Sequence, residues 1–106
     1  MSVISIQSKE QFAELSKNNK IVVVDFTASW CGPCKQVKPV FAQLAKEHSK
    51  EGVVVFVSVD VDDQDDLAQE WKVEAMPTFV VIKDGEEAKR QQGASPQFFD
   101  DIKQYF

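Results

Sequence analysis

Apolar positions along the chain switch repeatedly between a period of two and a period near 3.6, the mark of strands alternating with helices. Val3 to Gln7 reads as a short strand. Ser8, with Gln11 three residues on, has the capping-box pattern and opens a helix whose buried stripe carries Phe12 and Leu15; Asn18-Asn19 ends it. Ile21 to Thr27 is a nearly unbroken β-branched and aromatic run, as expected of a central strand covered on both faces. From Cys34 to about His48, Val37, Val40, Phe41, Leu44 and Ala45 fall on one helical face, and Pro39 inside that span is expected to kink it. Gly52 precedes a second buried strand, Val53 to Val59. Asp62 or Asp63 then starts a short helix with Leu67, Ala68 and Trp71. Thr78 to Lys83 is a strand, Asp84-Gly85 a hairpin turn, and Glu86 to Gln91 the returning antiparallel strand. Ser95 as cap and Pro96 at the first position begin a last helix with Phe98, Phe99, Ile102, Tyr105 and Phe106 on its apolar face.

The order β-α-β-α-β followed by α-β-β-α predicts an α/β three-layer sandwich, a mixed central sheet with helices on both faces. With 106 residues, no repeat and no linker, residues 1–106 are expected to form one domain. A net charge of −5 disfavours nucleic acid or an anionic membrane as partner, since both repel it. The longest apolar runs, Ile21 to Val24 and Val53 to Val57, are far too short to span a bilayer. Met1-Ser2-Val3-Ile4 lacks the features of a secretory or transit leader, so a cytoplasmic location is expected. The acidic stretch Asp60 to Asp66 does not have calcium-loop spacing and reads as a helix start plus a solvated face. His48 reads as a surface residue at a helix end.

Both cysteines of the chain fall in Trp30-Cys31-Gly32-Pro33-Cys34, between a buried strand and a helix. In a βαβ setting this spacing reads as a redox pair. A thiolate is the attacking species, and an ordinary cysteine with a pKa of about 8.5 is largely protonated at neutral pH. Lowering that value to about 7 takes roughly 2 kcal/mol of thiolate stabilisation. A helix dipole contributes about 0.3–1 kcal/mol, so hydrogen bonds from the first turn must add the rest. Cys31, nearer the loop, is expected to be the exposed nucleophile and Cys34 the resolving thiol. Pro33 suits the first helical turn, and Gly32 keeps the approach to Cys31 clear. A structural zinc site needs four ligands, and two cysteines plus His48 do not supply them, so no metal is expected. Covalent haem would need His where Lys35 stands. An inert structural disulfide is the remaining rival, but so small a loop stabilises little.

The segments Asp25 to Lys35, Ala75-Met76-Pro77-Thr78-Phe79 and Gly93-Ala94 resemble the thioredoxin family, most closely its eukaryotic cytosolic type, and the likeness runs through essentially the whole chain. The resemblance implies a protein-disulfide reductase, a dithiol electron carrier with no bound cofactor and a redox-active Cys31–Cys34 disulfide. Electrons would come from NADPH through thioredoxin reductase. The implied partners are that reductase and disulfide-containing clients, with the chain itself a monomer. A redox-silent binding module on the same fold is the alternative.

Asp25 lies inside the strand, where burial should raise its pKa and leave it protonated near neutrality. Its functional reading is proton acceptor for Cys34, against a strand-end carboxylate that simply reaches solvent; the family gives the matching aspartate the first role. Bacterial relatives tend to have a lysine nearby on the next strand, where this chain has Ser58. Pro77, on sequence alone, is a trans proline at a strand start; the resemblance implies a cis proline facing the dithiol, with the Met76 backbone pairing with client main chain. Trp30 and Trp71 default to core, but the resemblance gives Trp30 a part in shaping the site. It likewise implies that Gly32, Ala75, Met76, Gly93 and Ala94 form a client-docking patch, with Gln91-Gln92 making its rim more polar. Lys35 adds a solvent-screened positive charge beside the site.

Overall fold

The structure is a computed structural model that describes residues 2–106. Its strands are β1 (Ile4–Ser5), β2 (Ile21–Thr27), β3 (Val54–Asp60), β4 (Thr78–Lys83) and β5 (Glu86–Gln92). Its helices are α1 (Lys9–Asn18), α2 (Gly32–His48), α3 (Asp65–Glu70) and α4 (Pro96–Asp101), the last continuing as a 3-10 turn over Ile102–Tyr105.

The strands lie in the order β1-β3-β2-β4-β5. The β1–β3 and β3–β2 pairings are parallel, and β2–β4 and β4–β5 are antiparallel, which is the mixed sheet expected. β2 is central because its run of β-branched and aromatic side chains can be buried on either face; its first six residues are all buried. Val22, Val24 and Phe26 point to a layer completed by Phe12 of α1 and Leu67 of α3. Ile21 and Val23 point the opposite way, toward Val37, Phe41 and Leu44 of α2 and Phe98 and Phe99 of α4. In that second layer Phe79 stacks against Phe41 at 5.9 Å and meets Phe99 edge-on at 5.1 Å.

Local chemistry explains most boundaries, and it also explains where they move. The Ser8 hydroxyl accepts the Gln11 N–H at 3.0 Å, while the Gln11 amide oxygen takes the N–H of Gln7 rather than that of Ser8. α2 begins at Gly32, earlier than expected, because Cys31 itself serves as its cap. The helix continues without a break through Pro39. Val40 is 46% exposed, so it is not part of the buried stripe; Cys34, Val37, Phe41, Leu44 and Ala45 are. α3 starts at Asp65 rather than at Asp62 or Asp63, because Asp60 accepts the N–H groups of both those residues and folds them into a turn. Ser95 precedes α4 without a side-chain cap bond.

Asp84 and Gly85 both have positive φ, 51° and 83°, which is the backbone a two-residue hairpin turn demands. β5 forms the outer edge of the sheet with the sequence Glu-Glu-Ala-Lys-Arg-Gln-Gln, and its register with β4 shifts at Val81/Ile82. Arg90 donates to the Trp71 carbonyl at 2.6 Å and pairs with Glu87 at 2.9 Å, which ties this edge to the end of α3. Trp71 packs edge-on against Phe12 at 6.1 Å, as the default core reading expects. His48 ends α2 half-buried, its ring 5.0 Å from that of Phe106. No helix among the described residues is long and apolar enough to cross a membrane.

Candidate active site

The strand-to-helix junction after β2 holds the two sulfurs. Cys31 is extended, Pro33 sits in the first turn of α2, and the Cys34 N–H donates to the Cys31 Sγ at 3.2 Å. The side chain of Cys31 thus occupies the position a serine or aspartate cap would take, facing the unpaired donors of a helix N-terminus. When the bond between the cysteines opens, negative charge on Cys31 Sγ meets that N–H and the positive end of α2. In the structure Cys31 and Cys34 are joined as a disulfide, with Cα atoms 5.3 Å apart, and no free cysteine remains among the described residues.

The expectation that Cys31 is openly exposed does not hold. The residue is 5% exposed and Cys34 2%, because Ala28, Val61 and Met76 close around the pair. What distinguishes the two is the surroundings. Gly32 beside Cys31 has open space where a Cβ would stand, whereas Cys34 faces inward.

Behind Cys34 the apolar layer turns polar. On the α2-facing side of the sheet, β2 and β3 pair Ile21 with Val54, Val23 with Phe56, Asp25 with Ser58 and Thr27 with Asp60. Strand alternation therefore carries Asp25 onto the face of α2, in line with Val23. A cavity of about 390 Å³ opens there, bordered by Asp25, Ser58, Asp60, Cys34, Lys35 and Lys38. Asp25 is 4% exposed, and its Oδ1 is buried without a hydrogen-bond partner. Loss of hydration raises its pKa from 3.8 to about 7, against a downward pull from the positive charge of Lys38. The solvent-reaching alternative for this carboxylate fails on burial.

Of the remaining candidate residues, Met76 comes directly against the dithiol. The Met76–Pro77 peptide bond is cis, as the resemblance implies, Pro77 is buried, and the Met76 carbonyl oxygen lies 3.7 Å from Cys31 Sγ. The Thr78 hydroxyl donates to the Ala75 carbonyl and holds this segment in place. Gly93 has φ 84° and donates its N–H to the Pro77 carbonyl at 2.8 Å, which brings the end of β5 beside the Met76 segment. Ala75 and Ala94 are exposed, and Met76 and Gly93 half-buried. Lys35 is exposed.

Trp30 is 64% exposed, against its default core reading. It is nonetheless held, since its indole N–H donates to Asp62 Oδ2 at 3.0 Å. The sequence reading placed Asp62 on a solvated face and missed this bond, which spans 32 positions and leaves no local signal. Asp62→Ala should free the indole. In a Trp71→Phe background, the fluorescence anisotropy of Trp30 is expected to fall on this change; an unaltered anisotropy would mean packing alone holds the ring. Ser58 was noted in the sequence as a neighbour of Asp25. Lys38 also borders the cavity, and its position four residues after Cys34 places both on one side of α2.

The family model described as Thioredoxin matches residues 2–105. An H-type thioredoxin, type 1, of Nicotiana tabacum is 51% identical over 88 residues, covering 83% of this chain and 68% of that protein. The H-type thioredoxin of Fagopyrum esculentum is 49% identical over 85 residues, covering 80% of this chain and 71% of that one. Among solved structures, thioredoxin of Plasmodium falciparum superposes with a TM-score of 0.90 at 33% identity, over 98% of this chain and 100% of its own. The sulfur pair at the head of α2 therefore belongs to a member of the thioredoxin family, a thiol–disulfide oxidoreductase that carries electrons on a dithiol.

Proposed function

We propose that the chain reduces protein disulfides by a two-step exchange in which Cys31 attacks and Cys34 resolves. The carrying observation is the Cys34 N–H directed at Cys31 Sγ, 3.2 Å away, at the open end of α2. In the first step the Cys31 thiolate attacks one sulfur of a client disulfide. The bond Cys31–S–S–client forms, and the other client sulfur leaves as a thiolate. In the second step Cys34 gives up its proton and attacks Cys31 Sγ. The Cys31–Cys34 bond forms, the second client sulfur leaves, and two electrons have passed from the protein to the client.

Asp25 is the acceptor of the Cys34 proton. A carboxylate with a pKa of about 7 lies some 1.5 pH units below an ordinary thiol, so the transfer costs about 2 kcal/mol. That is small against a chemical barrier. The cavity shared by Asp25 and Cys34 has room for a connecting water.

Clients dock on the rim formed by Trp30, Gly32, Ala75, Met76, Gly93 and Ala94, with the Met76 backbone offering main-chain hydrogen bonds. Family members are recharged by thioredoxin reductase, and the same source, with NADPH as the ultimate donor, is assigned to this chain. It acts as a single-domain monomer in the cytoplasm.

The test is a trapping experiment with oxidised insulin as client. Cys34→Ser should accumulate a covalent adduct on Cys31 that dithiothreitol releases. An adduct that forms on Cys34 in Cys31→Ser, and not on Cys31 in Cys34→Ser, would reverse the two roles.

A further inference from the structure

We infer that Lys38 is a positioning residue for the proton transfer, its ammonium group providing from α2 the counter-charge to the buried Asp25 carboxylate. The inference deepens the proposed function and rests on Asp25 as proton acceptor.

The layout of the cavity carries it. Asp25 enters from β2 with one oxygen unpartnered. Its register neighbour on β3 is Ser58, which is neutral, and its neighbour on β4 is Phe79, which does not titrate. The other acid at the cavity, Asp60, adds negative charge and has Oδ1 committed to the N–H groups of Asp62 and Asp63. Among the described residues, the positive charges bordering the cavity therefore come from α2, on Lys35 and Lys38. Of these, Lys38 stands four residues beyond Cys34 and three before Phe41, both buried, so its stem rises from the side of the helix that faces the sheet. Lys35 follows Cys34 directly and is turned about 100° away around the helix axis. The pull of Lys38 on the ionisation of Asp25 agrees with this arrangement.

Lys38 is exposed and makes no ion pair within 4.0 Å of Asp25 among the described residues. Its hold is thus a longer-range Coulomb attraction across a polar cavity, open to screening by salt. An exposed lysine can set the charge state of a buried acid in this way without ever touching it.

The experiment follows the Asp25 carboxyl carbon by NMR across pH in the oxidised full chain, at low salt and at about 0.5 M salt, where the screening length falls to a few ångströms. Lys38→Gln should shift the Asp25 titration upward by about half a pH unit, a threefold change in its proton affinity. Lys38→Arg should restore the original midpoint, and Lys35→Gln should move it less than Lys38→Gln does. Salt should raise the midpoint of the unaltered protein toward that of Lys38→Gln and leave the variant nearly still. A merely structural role for Lys38 would produce neither the rescue by arginine nor the salt dependence. An unmoved midpoint in Lys38→Gln, or an equal shift from Lys35→Gln, overturns the inference. Adduct resolution on insulin, followed across pH in the same variants, separates the two layers of the reading. If the Asp25 midpoint moves while the resolution profile stays put, the hold of Lys38 on Asp25 stands and the proton-acceptor role falls.

Discussion

Cys31→Ser is expected to abolish insulin reduction, leaving only the background rate of the added reductant. Serine preserves the shape of the helix cap and can still accept the Cys34 N–H now directed at Sγ. The fold should therefore survive and the chemistry should not. A hydroxyl is almost wholly protonated at neutral pH and forms no bond equivalent to a disulfide. Cys34, 2% exposed and turned toward the cavity it shares with Asp25, is not expected to substitute. The expected loss is at least about three orders of magnitude, the scale seen when a catalytic nucleophile is removed. Turbidity of freed insulin chains measures it, with far-UV circular dichroism to show an intact fold. Residual activity of a tenth or more would mean Cys34 attacks clients directly.

The second large effect concerns Asp25. Its carboxyl keeps a proton in the folded protein up to a pH of about 7, while the unfolded chain releases it near 3.8. Between those values the folded state binds more protons than the unfolded one, so stability falls as pH rises across that window and levels off above it. A displacement of this size corresponds to about 4 kcal/mol. Asp25→Asn has no proton to lose. The variant should match the original protein near pH 4 and be more stable by about 2–4 kcal/mol at pH 8. It should also slow resolution of the mixed disulfide by about a hundredfold or more, the usual contribution of a positioned base. Guanidinium unfolding of the oxidised forms at pH 5 and pH 8 measures the first effect. Parallel stability curves for the two proteins would show that charging Asp25 costs nothing. Such a gain in stability with a loss of rate marks a group retained for chemistry at the expense of the fold.

Local signals made the element order and the dithiol legible. The capping serine before α1, the Asp84-Gly85 turn and the unbroken apolar run of β2 each act within a few residues, and each appears in the structure where the pattern put it. Asp25 was legible for the same reason, since strand alternation and burial act locally. The start of α3 was not. Five aspartates between positions 60 and 66 are all competent caps, and the choice among them is made by tertiary pairing. The Val61 N–H is drawn to the Thr27 carbonyl, which extends the β3 side and leaves Asp60 to close the turn. Val40 misled because apolar character and helical spacing do not fix where the centre of a stripe lies; that depends on how α2 sits against Phe56 and Phe79. The tether between Trp30 and Asp62 depends on two loops meeting in space, which no periodicity encodes.

The oxidised molecule has both of its cysteine sulfurs in one bond, and the sequence holds no third cysteine. A thiol-reactive dye therefore registers nothing on the oxidised chain and two equivalents on the reduced one. Under oxidant, no spare sulfhydryl is left to cross-link one copy to another, so a band at twice the monomer mass on a non-reducing gel would report an opened site rather than a side reaction. For this chain, counting labelled sulfurs is the same measurement as counting electrons stored.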